Sequence, residues 1–272
     1  MGDPLETQAR GYDGFYAEFD SPLARQLRAE AYGEDIGQHS WVTADELRED
    51  VVRLGLSPSS RLLDLGCGPG GPLSFVLGCS GCRGEGIEVS ASALAAARAR
   101  AAALGLGGRV AFRAVDLDGP LPFEDGSFDA AMSLDVVLHL RDRERLFGEV
   151  ARVLAPEGRF LFTDAGVLRG AISDEEVRRR SLHGRTWLSA PDFNERALAR
   201  AGLRLVGSWD RTAGLLQNAS GRLRARRAHR AELQALEGKE AFEAQERYLE
   251  TVLALSERGA LSRVAYLAQP PR

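Results

Sequence analysis

The sequence predicts an α/β fold: a doubly wound, mostly parallel sheet with an antiparallel last strand and a helical cap. Three observations predict it. From Arg61 onward, short apolar runs alternate with amphipathic stretches, the rhythm of strands with helices on both faces of a sheet. A glycine-rich turn, L-L-D-L-G-C-G-P-G-G (Leu62–Gly71), follows the first of those runs. A strand pattern returns at Ser262–Ala268 only after a long helical stretch, just before Pro270-Pro271.

Before Leu62 the pattern is helical. Ser21-Pro22 reads as an N-cap with proline in the first turn, and Thr43-x-x-Glu46 as a capping box ahead of Leu47, Val51 and Leu54. Strands are expected at Leu62–Leu65, Gly86–Val89, Val110–Val115, Phe128–Ser133 and Phe160–Thr163, with helices such as Ala91–Leu104 and Arg143–Leu154 between them. A further capping box, Ser173-x-x-Glu176, then precedes a helix opened by Ala190-Pro191-Asp192 and a strand at Leu203–Ser208. Residues 1–58 therefore read as an N-terminal lid segment, 59–212 with 260–272 as the core, and 213–259 as a cap insertion over the sheet edge.

Composition narrows the class. With 44% apolar and 27% charged residues, and no run of roughly 18 apolar residues, the chain reads as globular and not membrane-spanning. The first ten residues carry Asp3 and Glu6 without an apolar block, and the cysteine count is three; both favour a cytoplasmic protein without a disulfide framework. A net charge of −4 argues against a nucleic-acid partner. Arg222, Arg226 and Arg230 share a helical face, expected to be solvated, with an anion contact as the alternative. Cys79-x-x-Cys82 lacks a second pair at matching spacing, so it reads as a turn and no metal is expected.

Gly66, Gly68 and Gly71 satisfy G-x-G-x-x-G, the dinucleotide fingerprint. Asp64, two residues before the first glycine, would repel a pyrophosphate. Glu88 in G-I-E-V-S and Asp116 in A-V-D-L add acids at the ends of the next two strands. Three carboxylates suit a ligand with positive charge and hydroxyl or amino donors, which S-adenosylmethionine presents.

At D-L-G-C-G-P-G (Asp64–Gly70) and G-I-E-V-S the sequence resembles the class I S-adenosylmethionine-dependent methyltransferases, with their Rossmann-like sheet. P-F-E-D-G-S-F-D (Pro122–Asp129) and V-L-A-P-E-G (Val153–Gly158) extend the resemblance over nearly the whole chain. It implies S-adenosylmethionine as cofactor and S-adenosylhomocysteine as product. The binding residues it implies are Asp64, Gly66, Cys67, Gly68, Gly70, Glu88, Val89, Asp116, Leu117, Ser133 and Leu134. In S-L-D-V-V-L-H-L (Ser133–Leu140), an Asp135 that opens the next helix puts His139 one turn on, on the same face. This segment, with Y-G-E-D-I (Tyr32–Ile36), is similar to the sarcosine or dimethylglycine and the phosphoethanolamine N-methyltransferases. The likeness implies a small-molecule acceptor, most simply an amine, with His139 as base or orienter and Asp135 as its partner. Tyr16, Tyr32, Trp41 and Trp187 are candidates for the lid or acceptor pocket, and Phe193, Trp209 and Tyr248 for pocket lining.

Two positions depart from the phosphoethanolamine enzymes: Arg28 stands where they carry a tyrosine, and Ala165 follows Thr163-Asp164 where they carry another. Sugar and natural-product O-methyltransferases share much of the pattern, which leaves O- or C-transfer open. A macromolecular methyltransferase, a nicotinamide-dependent dehydrogenase and a non-catalytic binding protein are the remaining alternatives.

Overall fold

The computed structural model describes residues 13, 16, 18–181 and 186–271. In chain order these form α1 (Pro22–Tyr32), α2 (Ala44–Leu54), β1 (Arg61–Leu65), α3 (Gly71–Ser80), β2 (Arg83–Glu88), α4 (Ala91–Ala103), β3 (Val110–Ala114) and β4 (Phe128–Leu134). A 3-10 turn (Val137–His139) leads to α5 (Arg143–Val153), β5 (Leu154–Leu168), α6 (Asp174–Arg180), α7 (Phe193–Arg200) and β6 (Arg204–Asp210). Three helices, α8 (Thr212–Ala228), α9 (Arg230–Glu237) and α10 (Lys239–Glu257), precede β7 (Leu261–Gln269).

The capping signals act as read. Thr43 and Glu46 close a reciprocal capping box on α2, Ser173 and Glu176 do the same on α6, and Ser21 caps α1. In the sheet, alternation of side chains splits each strand between two cores. Leu63, Leu65, Ala131, Phe160 and Phe162 face one, with Phe147 and Tyr266; Leu62, Ala130, Met132 and Leu161 face the other, with Leu73, Val76 and Leu77 of α3.

Sheet order is β3-β2-β1-β4-β5-β7-β6. β7 alone runs antiparallel, pairing β5 on one side and β6 on the other. The last strand is thus interior and β6 holds the edge. α8 packs on α1 and α10, joining the lid segment to the cap above the carboxyl ends of the strands. Strand order reverses between β1 and β4, where open α/β sheets leave a crevice for ligands.

Candidate active site

The crevice is an open cleft of about 1430 Å³, its solvent-filled mouth included. Asp64, Gly66, Cys67, Gly68, Glu88, Val89, Asp116, Leu117, Leu134, Asp135 and His139 line it. Gly70 and Ser133 do not: Gly70 caps α3 and packs on Ala97, and the buried Ser133 hydroxyl donates to the Leu65 carbonyl at 3.0 Å. Both serve the walls and not the cleft surface.

The glycine turn is shaped by close approach. Gly68 has φ +51°, and a Cβ there would stand 3.3 Å from the Tyr16 hydroxyl. Its N–H donates to Glu88 Oε2 at 3.1 Å, while the N–H groups of Val89 and Ser90 donate to Glu88 Oε1 at 2.9 and 3.0 Å. These bonds fix the Glu88 carboxylate at the mouth of β2. Burial still raises its pKa, and it pushes that of Asp64 up to about 8, with Glu88 adding to the shift. The Cys67 thiol is pushed up by burial and by the same two acids, which makes it a packing group in place of a nucleophile. Two acids held at such cost, with Asp116 beside them and no cation among the described residues of that wall, fit a ligand bringing positive charge and hydroxyl donors. A pyrophosphate does not fit.

Asp135 departs from expectation. It does not open a helix; its φ is +59°, and the chain passes through it into the 3-10 turn that carries His139. Its carboxylate accepts from the Trp41 N–H at 2.8 Å, the Thr163 hydroxyl at 2.7 Å and Arg263 Nε at 2.8 and 3.1 Å. Arg263, fully buried on β7, also donates from Nη1 to Glu46 at 2.6 Å. Asp135 is therefore an anchor between the sheet and the segment ahead of α2.

The lid candidates divide. Tyr16 and Trp41 line the cleft, with the Tyr16 hydroxyl 3.2 Å from His39 Nδ1. Tyr32 is buried against Ala31 and Ala225, and Trp187 is exposed, its carbonyl accepting from Arg143. Of the other aromatics only Tyr248 reaches the cleft; Trp209 lies under Arg53, and Phe193 under Arg143. Arg28 bonds to the Phe19 carbonyl, Asp20 and Asp35, bracing the lid segment. The basic face is not solvated as expected: Arg226 and Arg230 stack on Phe242 and pair with Glu237 and Glu246, and Arg222 turns into the cleft. Cys79 is exposed and Cys82 buried at the end of α3, and no metal-binding cluster occurs among the described residues. No described helix is long and apolar enough to cross a membrane.

Sequence reading missed His39 and Arg180 on the cleft wall. His39, two residues before Trp41, stands in no motif; Arg180 ends the arginine run that closes α6.

Residues 63–162 match a family model described as a methyltransferase domain. Methyltransferase GfsG of Streptomyces halstedii is 38% identical over 122 residues, 45% of this chain and 43% of its own. The glycine/sarcosine/dimethylglycine N-methyltransferase of Actinopolyspora halophila is 31% identical over 176 residues, 64% of this chain and 30% of its own. The chain thus spans less than half the length of these curated relatives. Among solved structures, the [4+2]-cyclase SpnF superposes with a TM-score of 0.75 at 25% identity, over 95% of this chain and 94% of that one. Other structures of this fold hold S-adenosylmethionine or S-adenosylhomocysteine, the ligand chemistry that the acid-lined wall fits. Residues 63–162 thus carry a likeness to the methyltransferase domain, and the chain that contains them has the fold of the class I S-adenosylmethionine-dependent methyltransferases.

Proposed function

We propose that this protein transfers a methyl group from S-adenosylmethionine to a small molecule, most simply to an amine nitrogen. The observation that carries the reading is the division of one cleft: three carboxylates on or just beyond strands β1 to β3, and His139 with an aromatic wall beyond β4. S-adenosylmethionine, when bound, supplies a methyl carbon already activated by its sulfonium. What the protein adds is position, since an in-line displacement chiefly needs the acceptor's lone pair held about 3 Å away and aligned.

Glu88 would accept from the ribose hydroxyls, Asp116 and Leu117 would flank the adenine, and Asp64 would face the methionine end. His139 would accept the proton an amine must shed before or as it attacks, a role within reach of an imidazole near neutral pH. Asp135, tied to Arg263, would hold the Trp41 wall against the acceptor side. O- or C-transfer would use the same walls and differs only in the product.

The test incubates the protein with methyl-labelled S-adenosylmethionine and a cell extract, and separates small molecules from macromolecules. Label in a small-molecule peak is expected, and its mass and stability distinguish N- from O- or C-methylation. Label in RNA or protein overturns the small-molecule assignment. No label in either fraction, with S-adenosylhomocysteine binding intact, overturns methyl transfer.

A further inference from the structure

Two arginines among the described residues of the cleft behave unlike their neighbours. On α6, Arg178 and Arg179 pair with Glu175, and toward the end of the cap's first helix Arg226 and Arg227 pair with Glu237, Glu246 and Glu250. Arg180 and Arg222, which both line the cleft, have no carboxylate within ion-pair distance among the described residues. Arg180 is 3% exposed. Its Nη1 donates to the Tyr248 hydroxyl and its Nη2 to the Ala165 carbonyl, both at 3.2 Å, and its Nε is buried without an acceptor among the described residues. Arg222 lies 4.8 Å over the Trp41 ring, and Trp41 stacks on Tyr248 at 6.3 Å and 26°. Cation, two aromatic rings and cation therefore form one continuous surface.

This surface sits over β5, through Ala165, and not over β1 to β3, where the acids lie. The cleft is thus polarised along the sheet, acidic at the glycine turn and basic beyond β4. A buried guanidinium without a counterion is costly, and its planar fork matches carboxylate and phosphate oxygens. We propose that Arg180 and Arg222 bind an oxyanion of the methyl acceptor, which is a small organic anion carrying a carboxylate or phosphate group. The inference rests on the methyltransferase reading, and it gives that reading a substrate class. Stacked Trp41 and Tyr248 supply the flat apolar surface against which the body of such an acceptor packs, with its nucleophilic atom directed toward His139.

The experiment titrates the protein, saturated with S-adenosylhomocysteine, with benzoate, phenyl phosphate and neutral benzamide, following tryptophan fluorescence and heat. At least one anion is expected to bind tenfold or more tightly than benzamide, and the tighter of the two identifies the oxyanion. Arg222→Gln, on a half-buried side chain, is expected to weaken that anion at least tenfold, and Arg180→Gln to do the same, with S-adenosylhomocysteine affinity within twofold of the parent. Equal binding of benzamide, no anion binding, or anion binding untouched in Arg222→Gln overturns the proposal. A parallel loss of S-adenosylhomocysteine affinity also overturns it, because the arginines then serve the cofactor's own carboxylate. Failure of the parent protein to bind S-adenosylhomocysteine sinks the methyltransferase reading instead.

Discussion

Asp64 shows how a single side chain ties the cleft to pH. Its pKa rises from 3.8 to about 8, first because it is buried and then because Glu88 is near. The folded chain therefore holds a proton that the unfolded chain releases between those values, so this residue's contribution to stability falls as pH rises through that window. Asp64→Asn is expected to raise the melting temperature of the ligand-free protein at pH 8 more than at pH 5, as differential scanning calorimetry would record. A cationic ligand favours the ionised carboxylate, so binding of S-adenosylmethionine should release a proton near pH 7. Calorimetry in two buffers of different ionisation enthalpy measures that release, and the Asp64→Asn variant should lose it. His139 offers a separate residue-scale test: His139→Ala should lower turnover by about 10²–10⁴, the usual share of a general base, with cofactor affinity retained. Unchanged turnover would assign the imidazole to the wall.

At the scale of elements, two of the contacts that hold the segment between α1 and α2 to the core can be tested separately. One is the Asp135–Arg263–Glu46 cluster, with the Trp41 N–H donating to Asp135. The other is Gly71, where any Cβ would collide with the carbonyl groups of Ile36 and Gly37. Arg263→Leu strands two buried carboxylates and is expected to cost about 3–5 kcal/mol in urea unfolding, whereas neutralising all three partners together should recover most of that loss. Gly71→Ala should speed amide hydrogen exchange across residues 33–43 with less effect on global stability.

The sequence disclosed these elements unevenly, for physical reasons. Local signals were legible: capping boxes, proline at N1 and the two-residue alternation of buried strands depend on neighbours in the chain. The glycine turn and its acids were legible because ligand chemistry constrains residue type at fixed spacing. The contacts of Asp135 were not legible, since Trp41, Thr163 and Arg263 come from three distant segments. Arg180 and Arg222 were opaque for the complementary reason: what sets them apart is a carboxylate that is not beside them.

For the whole molecule, the sheet and the cap share one cleft, so ligand binding should stabilise both together. At a hundredfold excess over Kd, S-adenosylhomocysteine adds about 2.7 kcal/mol. In a chain of this size each kcal/mol corresponds to roughly 2–4 °C, so one cooperative transition shifted by several degrees is expected in thermal unfolding. Two transitions, of which only one moves, would mean that the cap unfolds apart from the core.

The interior position of β7 sets the order of events when this chain is made. Six strands emerge before it, and until it arrives β5 and β6 each present an unpaired edge, a template for wrong partners. β7 closes both edges at once, and the same strand delivers Arg263 to Asp135 from 128 positions along the chain. Completion of the sheet and locking of the cleft wall are a single late step, so a nascent chain stalled short of Leu261 holds the glycine turn and its acids without a finished pocket around them.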